Sequence, residues 1–353
     1  MMISKVALVL SGNIETAPYY VYYTDIFDKL GIKYNIICWD RLSLGTNLKF
    51  CFHYKSPVHR NFIRKIVDFK RYSNYVKKII LPDQYDLIFV FTIMNSIFLG
   101  SYLIKNFKGK FVIDIRDYSS FYYYTRIFIK KILECSLKNY ISSYGWKSWL
   151  PKDIEYTISH NVRHKDLLNA TCQVNVFKGH PIVITTFGTI RDYNIQKKLI
   201  SALKNKENFM LAYFGGGYEP IQSYAIKENI LNIKFSGRYK KEEEAKIVSE
   251  TDFVNILLPR SIQHDGIMSN RFYQAIISSK PIIVNKGNIQ EDFVNRFSLV
   301  LEIDENTNIY EKLVLFKKIF NPVLFEKGCK EMTELVLEEV AKFENSLSEI
   351  LLG

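Results

Sequence analysis

The chain has 353 residues, 48% apolar and 24% charged, with a formal net charge of +12. That length favours two domains, and the apolar share fits a chain that buries large cores, which excludes disordered and collagen-like classes. Residues 1–175 hold 25 Lys and Arg against 13 Asp and Glu, while the remainder is balanced, so the first half is expected to face something anionic: phospholipid, pyrophosphate or nucleic acid.

Taken in order, the opening MMISKVALVLSG reads as a first strand and not as a leader. Short apolar runs follow at 6–10, 34–38, 87–91 and 111–115, separated by stretches of helical spacing. They are apolar on consecutive positions, as parallel strands buried on both faces are. The stretch 87–104, LIFVFTIMNSIFLGSYLI, is uncharged over about the length of a bilayer span. Thr92, Asn95, Ser96, Gly100 and Ser101 interrupt it, and Pro82-Asp83-Gln84 precedes it as a turn, so it reads as a buried strand and a helix. Two segments, 55–78 and 122–138, mix Lys and Arg with aromatic and aliphatic residues at helical spacing. Such helices either lie on an anionic membrane surface or present an ordinary solvated face. Cys38, Cys51, Cys135, Cys172 and Cys329 are far apart and odd in number, which gives neither a disulfide framework nor a zinc site and points to a reducing compartment.

A second series of apolar runs lies at 182–186, 210–214, 233–236, 253–257, 281–284 and 299–303. The repeated rhythm predicts two doubly wound α/β sheets joined near 165–180, with the active crevice at the carboxyl ends of the strands. We therefore expect Rossmann-like domains at 1–168 and 169–325, and a C-terminal helix at 326–353 that could pack back on the first domain.

Strand ends carry the candidate chemistry. Ser11-Gly12-Asn13 closes the first strand, with Gly12 allowing close backbone approach to a ligand or simply making a turn. Phe187-Gly188-Thr189-Ile190-Arg191-Asp192 places Arg191 where a guanidinium fork can hold phosphate oxygens, the alternative being a solvated pair with Asp192. Gly215-Gly216-Gly217 and Ser236-Gly237-Arg238 follow two further strands, and neither is a GxGxxG or Walker A loop. In 259–281, Ser269-Asn270 is a cap for a helix whose amide end, with Arg271, favours an anion.

The order FGTIRD, FGGG, FSGR, LLP and SNRFYQAIISSKPIIV resembles the donor domain of GT-B glycosyltransferases of the family 4 type. VIDIRD at 112–117 is similar to the acceptor-side segment of capsular and O-antigen members, and ISHNV at 158–162 to the crossover opening the second domain. The resemblance implies two Rossmann-like domains facing a cleft, retention of anomeric configuration and no metal or other cofactor. It also implies a UDP- or GDP-sugar donor held by the second domain.

Carried over by position, it places Arg191 at the donor diphosphate and makes Asp117, beside Arg116, the acceptor-side catalytic candidate. Gly12, Asn13, Gly188, Gly215, Gly216, Gly237, Arg238, Ser269, Asn270 and Arg271 are the further donor candidates. Where many members have two glutamates eight positions apart, this chain has Gly266 and Gln274, with Asp265 next to the first. The expected acceptor is a saccharide, lipid-linked, met by a cytoplasmic protein at the inner membrane face through 55–78 and 122–138. Two alternatives stay open: an epimerase or hydrolase of the same fold, and a nucleic-acid-binding protein. The latter has no supporting motif, so no nucleic-acid partner is expected.

Overall fold

Buried pentapeptides, apolar but for Lys5 at one strand start and Asp114, set the architecture of the first sheet. β1 (Lys5–Val9), β4 (Leu87–Phe91) and β5 (Phe111–Ile115) are its centre, flanked by β2 (Lys33–Asp40), β3 (Phe50–His53), β6 (Lys138–Ile141) and β7 (Thr157–Ile158). All pair in parallel in the order β3-β2-β1-β4-β5-β6-β7. Helices α1 (Tyr20–Leu30), α2 (Phe62–Ile79), α3 (Ile93–Asn106) and α4 (Phe121–Cys135) make the crossovers. The computed structural model describes residues 3–57, 60–170, 173–240, 243–297, 300–303 and 306–353.

The second sheet has the order β10-β9-β8-β11-β12-β13, again parallel. Its strands are β8 (Ile182–Phe187), β9 (Phe209–Phe214), β10 (Ile233–Ser236), β11 (Phe253–Asn255), β12 (Ile282–Asn285) and β13 (Val300–Ile303). Its helices are α5 (His164–Leu168), α6 (Tyr193–Leu203), α7 (Glu219–Lys227), α8 (Glu244–Ser249), α9 (Ile262–Gly266), α10 (Asn270–Ile277), α11 (Ile289–Phe297) and α12 (Ile309–Ile319), with α13 (Pro322–Leu352) closing the chain. In both sheets the strand order reverses beside the first strand, between β1 and β4 and between β8 and β11. An α/β sheet opens a ligand crevice at such a point.

The chain divides into two compact units, one running to His160 and including Glu339–Gly353, the other Asn161–Glu338. The division falls at 160/161 and not at 168, because β7 is the last strand of the first sheet and the chain leaves it at once. The C-terminal helix begins at Pro322, four residues before the expected start. Asn321 caps it, its Oδ1 accepting from the amides of Val323 (3.0 Å) and Leu324 (3.1 Å), with proline in the first turn. The helix is shared between the units. Phe343 packs edge-on against Tyr23 and Tyr140 at 5.2 and 5.0 Å between ring centres, and Leu347 and Leu351 join the same core. Each such apolar side chain contributes about 1.5–3 kcal/mol by burial.

The uncharged stretch 87–104 is β4 followed by α3. Among the described residues no helix is long and apolar enough to cross a membrane.

Candidate functional site

At the carboxyl edge of the second sheet lies a cavity of about 300 Å³, walled by the loop 188–192 after β8, by 267–271 at the start of α10, and by Tyr239 and Glu244. Its floor is a buried polar network. Asn255 Nδ2 donates to Thr186 Oγ1 and to Gln196 Oε1, both at 2.8 Å, and the Tyr213 hydroxyl donates to Gln196 Oε1 at 3.2 Å. Gln196 Nε2 donates onward to the Leu257 carbonyl at 3.3 Å. A network satisfied in this way fixes the floor in one arrangement.

Gly188, Arg191, Ser269, Asn270 and Arg271 all line this cavity. Ser269 is the N-cap of α10, which therefore starts at Asn270, one residue earlier than the sequence suggested; its Oγ accepts from the Arg271 amide at 3.2 Å. The amide end of the helix opens on the cavity, a favourable place for an anion.

The two arginines have different employment. Arg271 donates from Nε to the Phe187 carbonyl (2.6 Å), from Nη1 to Asn255 (3.3 Å) and from Nη2 to Thr189 (3.2 Å), so it clamps two strand ends together. Burial, with Arg191 nearby, pushes its guanidinium down to about 10, which leaves it cationic at neutral pH. Arg191 is 60% exposed and only loosely paired, its Nε standing 3.8 Å from Asp192 Oδ2. A surface pair of that kind holds by about 0–1 kcal/mol, so the guanidinium can leave it for a phosphate.

The other glycine-loop candidates are not in the cavity wall. Gly215, at φ +128°, lies so close to the 188–190 loop that a Cβ there would stand 1.8 Å from the Gly188 carbonyl oxygen. Gly188 N donates to the Phe214 carbonyl and Ile190 N to the Gly216 carbonyl, each at 2.9 Å. Gly215 and Gly216 thus serve the packing of one loop on another, and Gly215 N is bound to the carbonyls of Ser236 and Gly237, both at 3.0 Å. Arg238 lies over Gly216, outside the cavity lining. Asp265 is held by Arg260 Nε at 2.8 Å, and Gln274 too lies outside the lining.

Gly12 and Asn13 belong to the first unit, in a second cavity of about 340 Å³ at the carboxyl edge of that sheet, together with Arg116 and Asp117. Asn13 braces the turn after β2. Its Nδ2 donates to Asp40 Oδ1 at 2.6 Å and its Oδ1 accepts from the Leu42 amide at 3.1 Å. Arg116 pairs with Asp114 and not with its neighbour Asp117: Nε reaches Asp114 Oδ2 at 2.7 Å, Nη1 the Ser159 carbonyl at 3.0 Å and Nη2 Ser159 Oγ at 2.6 Å. Asp117 is left with no hydrogen bond from any described side chain, and burial pushes its carboxyl up to about 6 in spite of Lys65 and Arg41.

Several cavity residues lie outside the sequence motifs. Tyr239, raised to about 12 by burial, Glu244 and His264 line the second-unit cavity, and Arg41 and Thr92 line the first-unit one. His264 is fixed by a 3.0 Å bond from Nδ1 to the Pro259 carbonyl. Among the described residues no group of three or more His, Cys, Asp or Glu is placed to hold a metal ion.

No family model and no curated relative matches the chain. Solved structures do match along nearly its whole length. Sucrose-phosphate synthase from Thermosynechococcus elongatus is 13% identical, with 99% of each chain covered and a TM-score of 0.73. WaaG, a glycosyltransferase involved in lipopolysaccharide biosynthesis, is 14% identical, covering 97% of this chain and 99% of its own, with a TM-score of 0.60. HepE from Anabaena, in complex with UDP and glucose, is 10% identical, with 99% of each chain covered and a TM-score of 0.64. At such identities the likeness is one of fold, and the fold is GT-B.

Proposed function

We propose that the chain is a glycosyltransferase: the second unit holds a UDP- or GDP-sugar, and its sugar passes to a saccharide acceptor bound by the first. The observation that carries this is the convergence, in one second-unit cavity, of an exposed, loosely paired Arg191 with the capped amide end of α10. In this fold HepE is complexed with UDP and glucose. When the glycosidic bond to the nucleotide breaks, negative charge grows on the departing diphosphate. Fixed donors already aimed at that charge lower the barrier, by several kcal/mol where they are desolvated. Arg191 and the α10 amides take that role without a metal, and Arg271 holds the two strand ends in place beneath them. Asp117 orients the acceptor hydroxyl or takes its proton.

The finer reading is a retaining, hexosyl-type transfer to a lipid-linked acceptor in surface polysaccharide synthesis, at the inner face of the membrane. The support is chemical. α2 and α4 of the basic half expose Phe62, Ile63, Tyr123, Tyr124 and Ile127 among Lys and Arg, and Phe62 stacks on Phe121 at 4.4 Å, which joins the two helix starts into one patch. An apolar patch ringed by cations suits an anionic leaflet. The test of the donor assignment is a thermal-shift screen with UDP, GDP, CMP and their sugar conjugates, without metal and then with magnesium. A ligand bound only by the folded state raises the melting temperature. A shift with UDP or GDP and no metal is expected; no shift with any nucleotide refutes the assignment.

A further inference from the structure

The first-unit cavity holds two opposite charges that have not joined. Arg41 follows β2 and Asp117 follows β5; both line the cavity and each acts on the other's ionisation, yet neither makes an ion pair with the other. Three buried polar atoms here, Arg41 Nε, Thr92 Oγ1 and Asp117 Oδ1, have no hydrogen-bond partner among the described residues. A buried polar atom left unpaired costs about 1–3 kcal/mol, and one that is charged costs more. Three at one cavity mark a place prepared for a guest. The Arg41 guanidinium is held for presentation, with its central carbon 4.7 Å from the centre of the Trp39 ring and 5.5 Å from that of Phe69. Lys65, half buried on α2, adds its charge to the same field.

The backbone gives an independent sign. Thr92, between β4 and α3, sits at φ +73°, a conformation that is a genuine outlier for a β-branched residue. Its amide donates to the Asp114 carbonyl at 2.8 Å and its carbonyl accepts from Ser96, so the surroundings impose the strain. Strain held in this way clusters at ligand clamps.

We propose that this cavity binds a polyol bearing an anionic group, with Arg41 as its specificity determinant. The planar guanidinium meets the carboxylate or phosphate edge-on in a fork, Asp117 accepts a hydroxyl of the same molecule, and Lys65 strengthens the field at the anionic end. A guest of this kind satisfies a donor and an acceptor that stand apart, as neither a neutral sugar nor a simple anion does. Calling the guest the acceptor rests on the transferase reading; the binding itself does not.

The test is calorimetric titration of the whole chain at fixed ionic strength with glucuronate, glucose 6-phosphate, glucose and inorganic phosphate, and separately with UDP. At least one of the two acidic sugars binds tenfold or more tightly than glucose, and whichever does so assigns the anion as carboxylate or phosphate. Arg41→Gln removes that preference and leaves UDP binding unchanged, whereas Arg41→Lys, which keeps the charge but not the fork, restores part of it. Asp117→Asn weakens the acidic sugar more than it weakens inorganic phosphate. The proposal is overturned if glucose binds as tightly as both acidic sugars, if inorganic phosphate matches them, or if Arg41→Gln leaves the preference intact. Acidic-sugar binding that depends on Arg41, with no binding of UDP, would sink the donor reading and leave this one standing; the reverse pattern would do the opposite.

Discussion

Replacing Asp117 by asparagine should make the protein more stable and less active at once. In the fold its carboxyl rises from 3.8 to about 6, burial outweighing Lys65 and Arg41. A folded-state value above the unfolded one means that the native protein binds the proton more tightly between those two values. The unfolded chain then carries fewer protons in that window, and stability falls as pH rises through it. The rise corresponds to about 3 kcal/mol, all of it set against the fold above pH 6. Asparagine keeps the shape and removes the charge, so at pH 8 Asp117→Asn should gain about 1–3 kcal/mol, a gain that vanishes by pH 4. The assay is urea unfolding of both proteins at pH 4, 6 and 8, with transferase activity measured alongside. Wild-type activity should rise through about pH 6 as the carboxylate forms, and the variant should be inactive throughout. A variant less stable than the wild type at pH 8 would mean instead that the carboxylate has a partner in the fold.

Other sites give sharper contrasts. Arg271→Met removes three bonds to carbonyls and should cost about 3 kcal/mol, or about 6–12 °C in melting temperature for a unit of this size. Arg191→Ala touches nothing structural; it should leave urea unfolding unchanged while weakening UDP by about 2 kcal/mol, roughly 30-fold by calorimetry. Gly215→Ala pushes a methyl group into the Gly188 carbonyl at a φ that alanine resists, so the midpoint of urea unfolding should fall by the equivalent of about 3 kcal/mol or more, and UDP binding with it. Glu339→Leu removes the 2.6 Å bond to the buried His160 ring, which burial pushes down to about 3; the expected loss is about 1 kcal/mol in urea unfolding at pH 7.

What the sequence disclosed follows from burial. β1, β4, β5, β8 and β9 lie inside their sheets and read as apolar runs broken only by Lys5, Asp114, Thr185 and Thr186, because parallel strands covered on both faces need few polar positions. Phe50-Cys51-Phe52-His53 at one edge of the first sheet, and Lys138-Asn139-Tyr140-Ile141 with the two-residue β7 at the other, are short and mixed in polarity, so their sequences carry no strand signal. Gly188, Arg191 and the Ser269 cap could be found because each sits at the end of a legible strand or at the start of a helix.

Roles were less visible than positions. A sequence shows that Arg271 and Arg116 are charged, but the carbonyls of Phe187, Asn255 and Thr189 and the Ser159 hydroxyl that hold them come from segments that only the fold brings near. Gly215 and Gly216 look like phosphate-loop glycines because packing two loops together also calls for residues without side chains. Arg41 left a usable sign, a cation just past the end of a strand; Tyr239, Glu244 and His264 left none, being single residues in loops and short helices.

Transfer from a nucleotide sugar is read out by nucleoside diphosphate release from UDP- and GDP-sugars, with and without lipid-linked saccharide extracted from membranes, in the presence of EDTA. Release is expected from one of these donors, depending on the acceptor, persisting with EDTA and disappearing in Arg191→Ala. Release that ignores the acceptor would make the protein a hydrolase, and no release from any donor would contradict the claim outright.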